Sequence, residues 1–189
     1  SNMSLLKDYL GKFINFTPSL EKVFFELCTI QEIPKKTHLF KSGDVCHHVH
    51  FIEKGFARVY YLLDGRDVTS WFAQEGQVMS AKDSLFTGKP SDYNIQLLED
   101  SKVISINYRK LESKFDEYPT LERAARLITI ESYLQLDDRI KNILFYTPEE
   151  RYLRLLESYP NITTRISLGY IASYLGITQE TLSRVRARV

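Results

Sequence analysis

Long apolar runs, cysteine clusters and a secretory leader are what this 189-residue sequence lacks. No stretch approaches the roughly 18 consecutive apolar residues that a membrane-spanning helix needs. No charged and apolar leader of the secretory kind stands near its start. Cys28 and Cys46 are too few for a disulfide framework. These absences predict a cytoplasmic protein without a membrane partner.

Charge is nearly balanced over the chain but unevenly distributed along it. The formal net charge is +1 at pH 7. From residue 160 to the end, four arginines stand against one acid, Glu180, so that this segment carries +3 and the remainder −2. A basic end on a mildly acidic body favours a polyanion as the partner of that end.

The first half of the chain predicts helices followed by short strands. Thr17 and Pro18 form an N-cap followed by proline at the first helical position, within a region that looks helical from 4 to 28. Between 30 and 107, β-branched and aromatic runs alternate with turn signals, of which Asp64-Gly65 is the strongest hairpin signal. This spacing predicts roughly eight antiparallel strands in a roll or barrel rather than a βαβ sheet.

The second half predicts helices only. Pro119 begins a long helical stretch that reaches about Phe145, and Thr147-Pro148 is a second cap-and-proline start. We therefore predict an α+β fold in three parts: N-terminal helices with an antiparallel, jelly-roll-like β-roll (1–118), a long connecting helix (119–146), and a small helical domain (147–189).

The most specific local pattern lies at the end, where residues 167–188 read SLGYIASYLGITQETLSRVRAR. Gly176 stands where the C-terminus of a helix needs a left-handed residue. Thr178 is placed to cap a second helix, from which Leu182 and Val185 would face back to the first. This spacing predicts a helix-turn-helix, whose second helix can lie in the DNA major groove.

A generic helical hairpin with arginines on a solvated face is the alternative interpretation of these residues. The local charge of +3 favours DNA, because neutralised phosphates supply much of the affinity of DNA-binding proteins.

Three stretches carry a resemblance to a known family: KSGDVCHHVHFIEKGFARVYYLLDGRDV, GKPSDYNIQLLEDSKVISI and IASYLGITQETLSRVRARV. From about residue 17 to 189 the chain resembles the Crp/Fnr transcription regulators, and EERYLRLLESYPNI is similar to the branch common in Bacteroidetes-type bacteria. The resemblance implies a cyclic-nucleotide-binding-type β-roll as sensor, a dimerisation helix and a DNA-binding domain. It implies a homodimer on a pseudo-palindromic operator, with RNA polymerase as a further candidate partner.

Regulators of this family read bases from the start of the second helix, which implies base contacts for Gln179, Glu180, Ser183 and Arg184 here. Arginine pairs with guanine, glutamate accepts from cytosine and glutamine pairs with adenine. Phosphate contacts, which position the protein without specifying sequence, are implied for Thr178, Thr181, Arg186 and Arg188.

Two departures from the family pattern concern this DNA-binding domain. The best-known members have arginine where Gln179 stands, so we expect a different operator. Members also carry a small β-wing after this helix, whereas this chain ends at Val189, so we expect the wing to be reduced or missing.

The ligand loop departs further from the family pattern. Ser91 stands where the resemblance expects the arginine that neutralises a cyclic phosphate, Asp92 replaces a small hydroxyl residue, and Ala81 replaces a glutamate. The exchange removes a bidentate contact and adds a like charge. We therefore expect no cyclic nucleotide bound in the usual manner. Either another small effector binds near Ser80, Ala81, Lys82, Ser84, Ser91, Asp92 and Tyr93, or the pocket has filled in.

The opposing function is a metal-dependent enzyme of the cupin type, suggested by CHHVH at 46–50. His48 and His50 share one strand face, but Glu53 has the wrong parity and no histidine follows His50. Cys46 shares the histidine face, which leaves a three-ligand zinc site as a minor alternative.

Other catalytic patterns are missing. The sequence has no Gly-x-Ser-x-Gly, Walker or Gly-x-Gly-x-x-Gly motif, and two distant cysteines cannot hold an iron–sulfur cluster. We predict a transcription regulator rather than an enzyme. The alternatives are a cyclic-nucleotide-binding protein with a non-standard pocket and a cupin-like metalloenzyme.

Overall fold

The computed structural model describes residues 3–189, in which helices flank and follow two antiparallel sheets. The helices are α1 (Ser4–Gly11), α2 (Pro18–Glu26), α3 (Lys82–Leu85), α4 (Tyr108–Glu112), α5 (Pro119–Phe145), α6 (Pro148–Ser158), α7 (Ile162–Arg165), α8 (Leu168–Leu175) and α9 (Gln179–Arg188). The strands are β1 (Cys28–Ile33), β2 (His38–Phe40), β3 (His48–Lys54), β4 (Phe56–Leu63), β5 (Arg66–Gln74), β6 (Val78–Met79), β7 (Asn94–Leu97) and β8 (Ser101–Asn107).

The chain divides into two compact units. The first runs to Tyr61 and resumes from Trp71 to Ile130, and the second joins Leu62–Ser70 to Glu131–Val189. The division falls inside α5 and assigns the tip of the β4–β5 hairpin to the second unit. None of the helices within residues 3–189 combines the length and the hydropathy of a membrane span.

The strands form two four-stranded sheets, ordered β1-β8-β3-β6 and β2-β7-β4-β5. The pairings β1–β8, β3–β8 and β4–β7 are antiparallel. The mixed fold of helices and antiparallel strands predicted from the sequence is confirmed. The Asp64-Gly65 hairpin is present as well, with both residues at positive φ.

The two faces of β3 serve two separate cores. Phe51 packs with α1, α2 and the start of α5, whereas Ile52 packs inside the roll with residues of the other sheet. Because side chains alternate along a strand, neighbouring residues necessarily enter different cores. Glu53 lies on the Phe51 side, where its Oε1 accepts a hydrogen bond from the backbone N–H of Leu5 at 3.0 Å. A β3 carboxylate therefore satisfies one of the free N–H groups at the start of α1.

The caps expected at two proline-led helices are present. Thr17 Oγ1 accepts from the N–H of Leu20, at 3.3 Å. Thr147 and Glu150 form a reciprocal capping box at the start of α6. Both helices therefore begin at the residue that the sequence predicts.

Gly55, between β3 and β4, is required by its backbone and by its neighbour. Its φ is +118°, and a Cβ built there would lie 2.0 Å from Ser101 Oγ. Gly76 also has a positive φ, +83°, but no atom lies within 4 Å of a Cβ built on it. Substitution of Gly76 therefore introduces backbone strain alone, whereas substitution of Gly55 introduces the same strain and a steric clash with Ser101.

We expect Gly55→Ala to destabilise the protein by about 4 kcal/mol, since strain and overpacking add. Gly76→Ala should cost about 1 kcal/mol, because it introduces strain alone. Urea unfolding of both variants measures the difference. Equal losses would contradict the close approach of Gly55 and Ser101.

Candidate nucleic-acid interface and effector pocket

Helices α8 and α9 are joined by a tight left-handed turn at Gly176. Gly176 has φ +71°, and its N–H and that of Ile177 donate to the carbonyls of Ser173 and Ala172 at 3.2 and 3.1 Å. Both bonds satisfy carbonyls that the end of α8 would otherwise leave free. The turn expected from the position of Gly176 is therefore present.

Buried aliphatic side chains fasten α9 to α8 and α6. Ile171, Leu175 and Leu182 are 0% exposed, and Val185 is 1% exposed. Helix α9 has contacts with both α6 and α8. One side of α9 is therefore buried against α6 and α8, and the opposite side is exposed.

The four predicted base-contacting residues lie together on the free side of α9. Gln179, Glu180, Ser183 and Arg184 are all exposed. At about 100° per residue, positions 179, 180, 183 and 184 share one face, opposite Leu182 and Val185. The structure therefore places these four side chains on a single exposed surface of α9.

Of the four predicted phosphate-contacting residues, the two threonines form hydrogen bonds at the start of α9 and the two arginines lie in its last turn. Thr178 caps α9 by accepting from the N–H of Thr181 at 3.1 Å, and its own hydroxyl donates to Thr181 Oγ1 at 3.0 Å. Thr181 Oγ1 also accepts from Arg184 Nη2 at 3.2 Å, which steers that guanidinium. Arg186 is exposed, whereas Arg188 forms a 2.6 Å ion pair with Glu149.

Sequence reasoning missed the arginines that hold this unit together. The Arg151 guanidinium donates to the carbonyls of Ile143, Tyr146 and Leu175 at 3.1, 2.9 and 2.9 Å. One side chain of α6 thus satisfies carbonyls near the ends of both α5 and α8. No sequence signal marks such a role, because the three acceptors are backbone carbonyls, which every residue carries.

Arg139 of α5 performs a similar task at the hairpin tip. Its guanidinium donates to the carbonyls of Ser70 and Tyr174 at 3.2 and 2.6 Å and lies 3.7 Å from the centre of the Tyr174 ring. The N–H of Thr69, which is fully buried, donates to Ser173 Oγ at 3.0 Å. The hairpin tip, α5 and α8 are therefore joined through directional contacts within the second unit.

The serines of the predicted effector pocket are buried and hydrogen-bonded inside the protein. Ser80 Oγ donates to the carbonyl of His48 at 2.8 Å, and Ser84 Oγ accepts from the N–H of Cys46 at 2.7 Å. Ala81 is 0% exposed. These three predicted pocket residues thus serve the protein's own packing.

The mouth of the predicted pocket contains Asp83, which sequence reasoning did not select. Its Oδ1 accepts from Ser91 Oγ at 2.7 Å, and its Oδ2 accepts from the backbone N–H of Asp92 at 3.2 Å. Lys82 and Asp92 are exposed, and Tyr93 is half-buried with its ring 5.9 Å from that of Tyr61. Desolvation lowers the pKa of Lys82, although the residue as a whole is exposed.

The three candidate metal ligands near the start of β3 lie close to one another and are engaged with other protein groups. His50 is buried with its Nδ1 2.7 Å from Ser105 Oγ, and its ring lies 6.2 Å from the more exposed ring of His48. Cys46 Sγ lies 3.4 Å from both Ser80 Oγ and the carbonyl of His48. Among residues 3–189, no group of three or more His, Cys, Asp or Glu side chains is arranged to hold a metal ion.

Burial keeps His50 neutral and makes it a source of pH-dependent stability. Desolvation, with a smaller contribution from the charge of His48, lowers the pKa of His50 to about 4 from 6.5. Since the unfolded chain binds the proton more tightly, the stability contributed by neutral His50 is present above pH 6.5 and is lost as the pH falls toward 4.

We expect the free energy of unfolding to lose about 3 kcal/mol of His50-dependent stability between pH 7 and pH 4. His50→Asn should remove this part of the pH dependence, because it keeps a polar group near Ser105 and cannot titrate. Urea unfolding across this range measures it, with His47→Asn, at an exposed position, as the control. An unchanged pH slope in His50→Asn would contradict the assignment.

The chain is similar to known proteins in part of its sequence. Residues 30–118 match the family described as "Cyclic nucleotide-binding domain". The chain is 28% identical over 172 residues to the fumarate and nitrate reduction regulatory protein of Vibrio cholerae, covering 82% of this chain and 66% of that protein. It is 29% identical over 97 residues to the anaerobic regulatory protein of Bacillus subtilis, covering 50% and 40%. The chain thus spans no more than 66% of the length of either curated relative.

The fold is shared with solved structures of lower sequence similarity. FixK2 from Bradyrhizobium japonicum superimposes with a TM-score of 0.74 at 22% identity, over 85% of this chain and 83% of that one. This agreement confirms the predicted mixed fold of helices and antiparallel strands.

Proposed function

We propose that this chain is a sequence-specific DNA-binding transcription regulator of the Crp/Fnr type, acting in the cytoplasm. The match of residues 30–118 to the cyclic nucleotide-binding family and the similarity to regulatory proteins support the proposal. Residues 1–118 act as the sensor, 119–146 as the dimerisation helix and 147–189 as the DNA-binding domain. The observation that carries the proposal is the exposed face of α9, on which Gln179, Glu180, Ser183 and Arg184 lie together.

The chemistry of this face suits base recognition. Arg184 is held by Thr181 at the helix surface, and a preorganised guanidinium loses less freedom on pairing with guanine. Arg186 and Arg188 flank the reading face on its two sides, where phosphates of the groove walls would lie. Arg188 would have to give up its ion pair with Glu149 in order to bind a phosphate. Its contribution to the binding free energy would therefore be only the difference between the two ion pairs.

Substitution of Arg184 and of Arg186 distinguishes a base contact from a phosphate contact. We expect Arg184→Ala to weaken binding to the preferred site by about 1–3 kcal/mol and to relax preference at one base pair per half-site. Arg186→Ala should weaken binding to all sequences alike and lower the salt slope by about 1. The preferred site is first selected from random DNA, and both variants are then titrated by fluorescence anisotropy at several salt concentrations.

One outcome would contradict the assignment of Arg184 as a base contact. An equal loss for Arg184→Ala on selected and random DNA would reduce Arg184 to a phosphate contact. Failure of the unmodified chain to enrich any sequence would overturn the proposed function itself.

The proposal includes a homodimer formed through α5. Eight large apolar side chains on this helix are exposed: Ile130, Tyr133, Leu134, Leu136, Ile140, Ile143, Leu144 and Phe145. Isolated exposed leucines are ordinary, but a run of this length along one helix is typical of an interface. A symmetric pair of α9 helices about 34 Å apart would read a pseudo-palindrome.

We expect Leu134→Glu to convert the dimer to a monomer, since it places a charge in the apolar interface. Light scattering after size exclusion should then give the chain mass of 22.1 kDa rather than twice that value. Leu153→Glu is the matched control, because Leu153 is an exposed leucine on α6. A dimer that survives Leu134→Glu would place the interface elsewhere.

The match of residues 30–118 to the cyclic nucleotide-binding family favours one alternative, a regulator that binds a cyclic nucleotide through a non-standard pocket. Against it, Ser91, which stands where the family resemblance implies an arginine, donates to the carboxylate of Asp83, a residue of this same chain. Our proposal is therefore a roll that has lost the usual ligands of the cyclic phosphate, with either a different small effector or none. We assign no catalytic step to this chain.

A further inference from the structure

The carboxylate of Asp83 is bound like a ligand at the mouth of the roll. Each of its oxygens accepts one hydrogen bond, Oδ1 from Ser91 Oγ at 2.7 Å and Oδ2 from the backbone N–H of Asp92 at 3.2 Å. A hydroxyl and an amide N–H that converge on two oxygens of one anion are the donors that proteins use for carboxylates and phosphates.

Ser91 is held in place independently of Asp83. It is 2% exposed, its N–H donates to the carbonyl of Asp44 at 3.0 Å, and its own carbonyl accepts from the N–H of Gly43 at 2.8 Å. Its Oγ accepts from the N–H of Tyr93 at 2.9 Å. Since a hydroxyl has one proton, this arrangement leaves the proton of Ser91 for Asp83, and the donor stays aimed at the anion position.

Two further serine hydroxyls of the predicted pocket are already hydrogen-bonded to backbone groups. The hydroxyls of Ser80 and Ser84 are bonded to the backbone of His48 and Cys46, at 2.8 and 2.7 Å. Ile52, Val59, Ile95, Leu97 and Val103 fill the interior with apolar side chains. An incoming anion that used the Ser91 hydroxyl and the Asp92 N–H would therefore meet two donors that Asp83 already occupies.

We propose that Asp83 is an internal ligand: its carboxylate occupies the anion-binding position formed by Ser91 and the Asp92 amide, and so excludes phosphate-bearing effectors from the roll. Exclusion acts twice, because the carboxylate takes up the donors and its negative charge repels a second anion. This inference rests on the proposed function only in treating the roll as a sensor. It specifies the regulation of that sensor, which cannot respond to cyclic nucleotides while Asp83 is in place.

The inference is tested by emptying the position and offering an anion. Isothermal titration calorimetry is run on the whole chain with millimolar inorganic phosphate, and separately with cyclic AMP. We expect no saturable binding by the unmodified protein, and binding of phosphate at least tenfold tighter by Asp83→Ala. Addition of Ser91→Ala to Asp83→Ala should abolish the gain, since it removes a donor to the anion.

Two control variants distinguish the effect of the Asp83 side chain occupying the anion position from the effect of its negative charge. Asp92→Asn removes the same charge from the neighbouring exposed position but leaves the Asp83 carboxylate in the site, so it should show no gain. Asp83→Asn removes the charge and keeps the side-chain volume, so it should gain less than Asp83→Ala. A gain with phosphate alone supports the anion position, and a gain with cyclic AMP as well shows that the roll also admits the nucleoside.

Several results would overturn the inference. These are tight phosphate or cyclic AMP binding by the unmodified protein, an equal gain in Asp92→Asn, or no gain in an Asp83→Ala protein whose circular dichroism and melting are unchanged. If Asp83→Ala does not fold, Asp83→Ser is judged by the same criteria. DNA affinity is measured in parallel on each protein, because loss of the proposed function would appear there and not in the phosphate titration.

Discussion

The pairing of β3 with β8 is the constraint on which the first unit depends. Phe51 stands opposite Ile104, and Ile52 opposite Val103, so that alternate residues of both strands enter the two cores. The same register sets Glu53 at the start of α1 and His50 opposite Ser105, its hydrogen-bond partner. A slip of one residue would send Glu53 into the roll and His50 toward the helices, so the hydrophobic cost of any other register is high.

In the second unit, hydrogen bonds from arginine side chains fix how the helices are arranged, as strand register does for the strands of the first unit. Arg139 and Arg151 donate to five backbone carbonyls between them. Four lie at or just beyond the ends of α5 and α8, and the fifth, that of Ser70, lies in β5. Aliphatic contacts alone are non-directional, whereas a guanidinium fork demands a defined geometry from each carbonyl. The orientation of the reading face thus depends on polar contacts as well as on the buried side chains of α8 and α9.

The serines of the predicted effector pocket are hydrogen-bonded within the protein. Ser80 and Ser84 bond to nearby backbone groups, and Ser91 bonds to Asp83. Satisfying buried polar groups internally removes the cost of leaving them unpaired. Under the function proposed above, such a roll would respond to a signal other than an anion, or would act as a rigid support.

Local sequence determined the elements and the chemistry of the C-terminal face. Caps at Thr17, Thr147 and Thr178, the left-handed turn at Gly176 and the period of the buried residues in α9 are short-range properties, and each follows from a few neighbouring residues. Tertiary structure alone decided the hydrogen-bond partners of Asp83, Arg139, Arg151 and His50. Those partners lie 5 to 69 positions away along the chain, and most are backbone groups that every residue carries, so no pattern of side chains announces them.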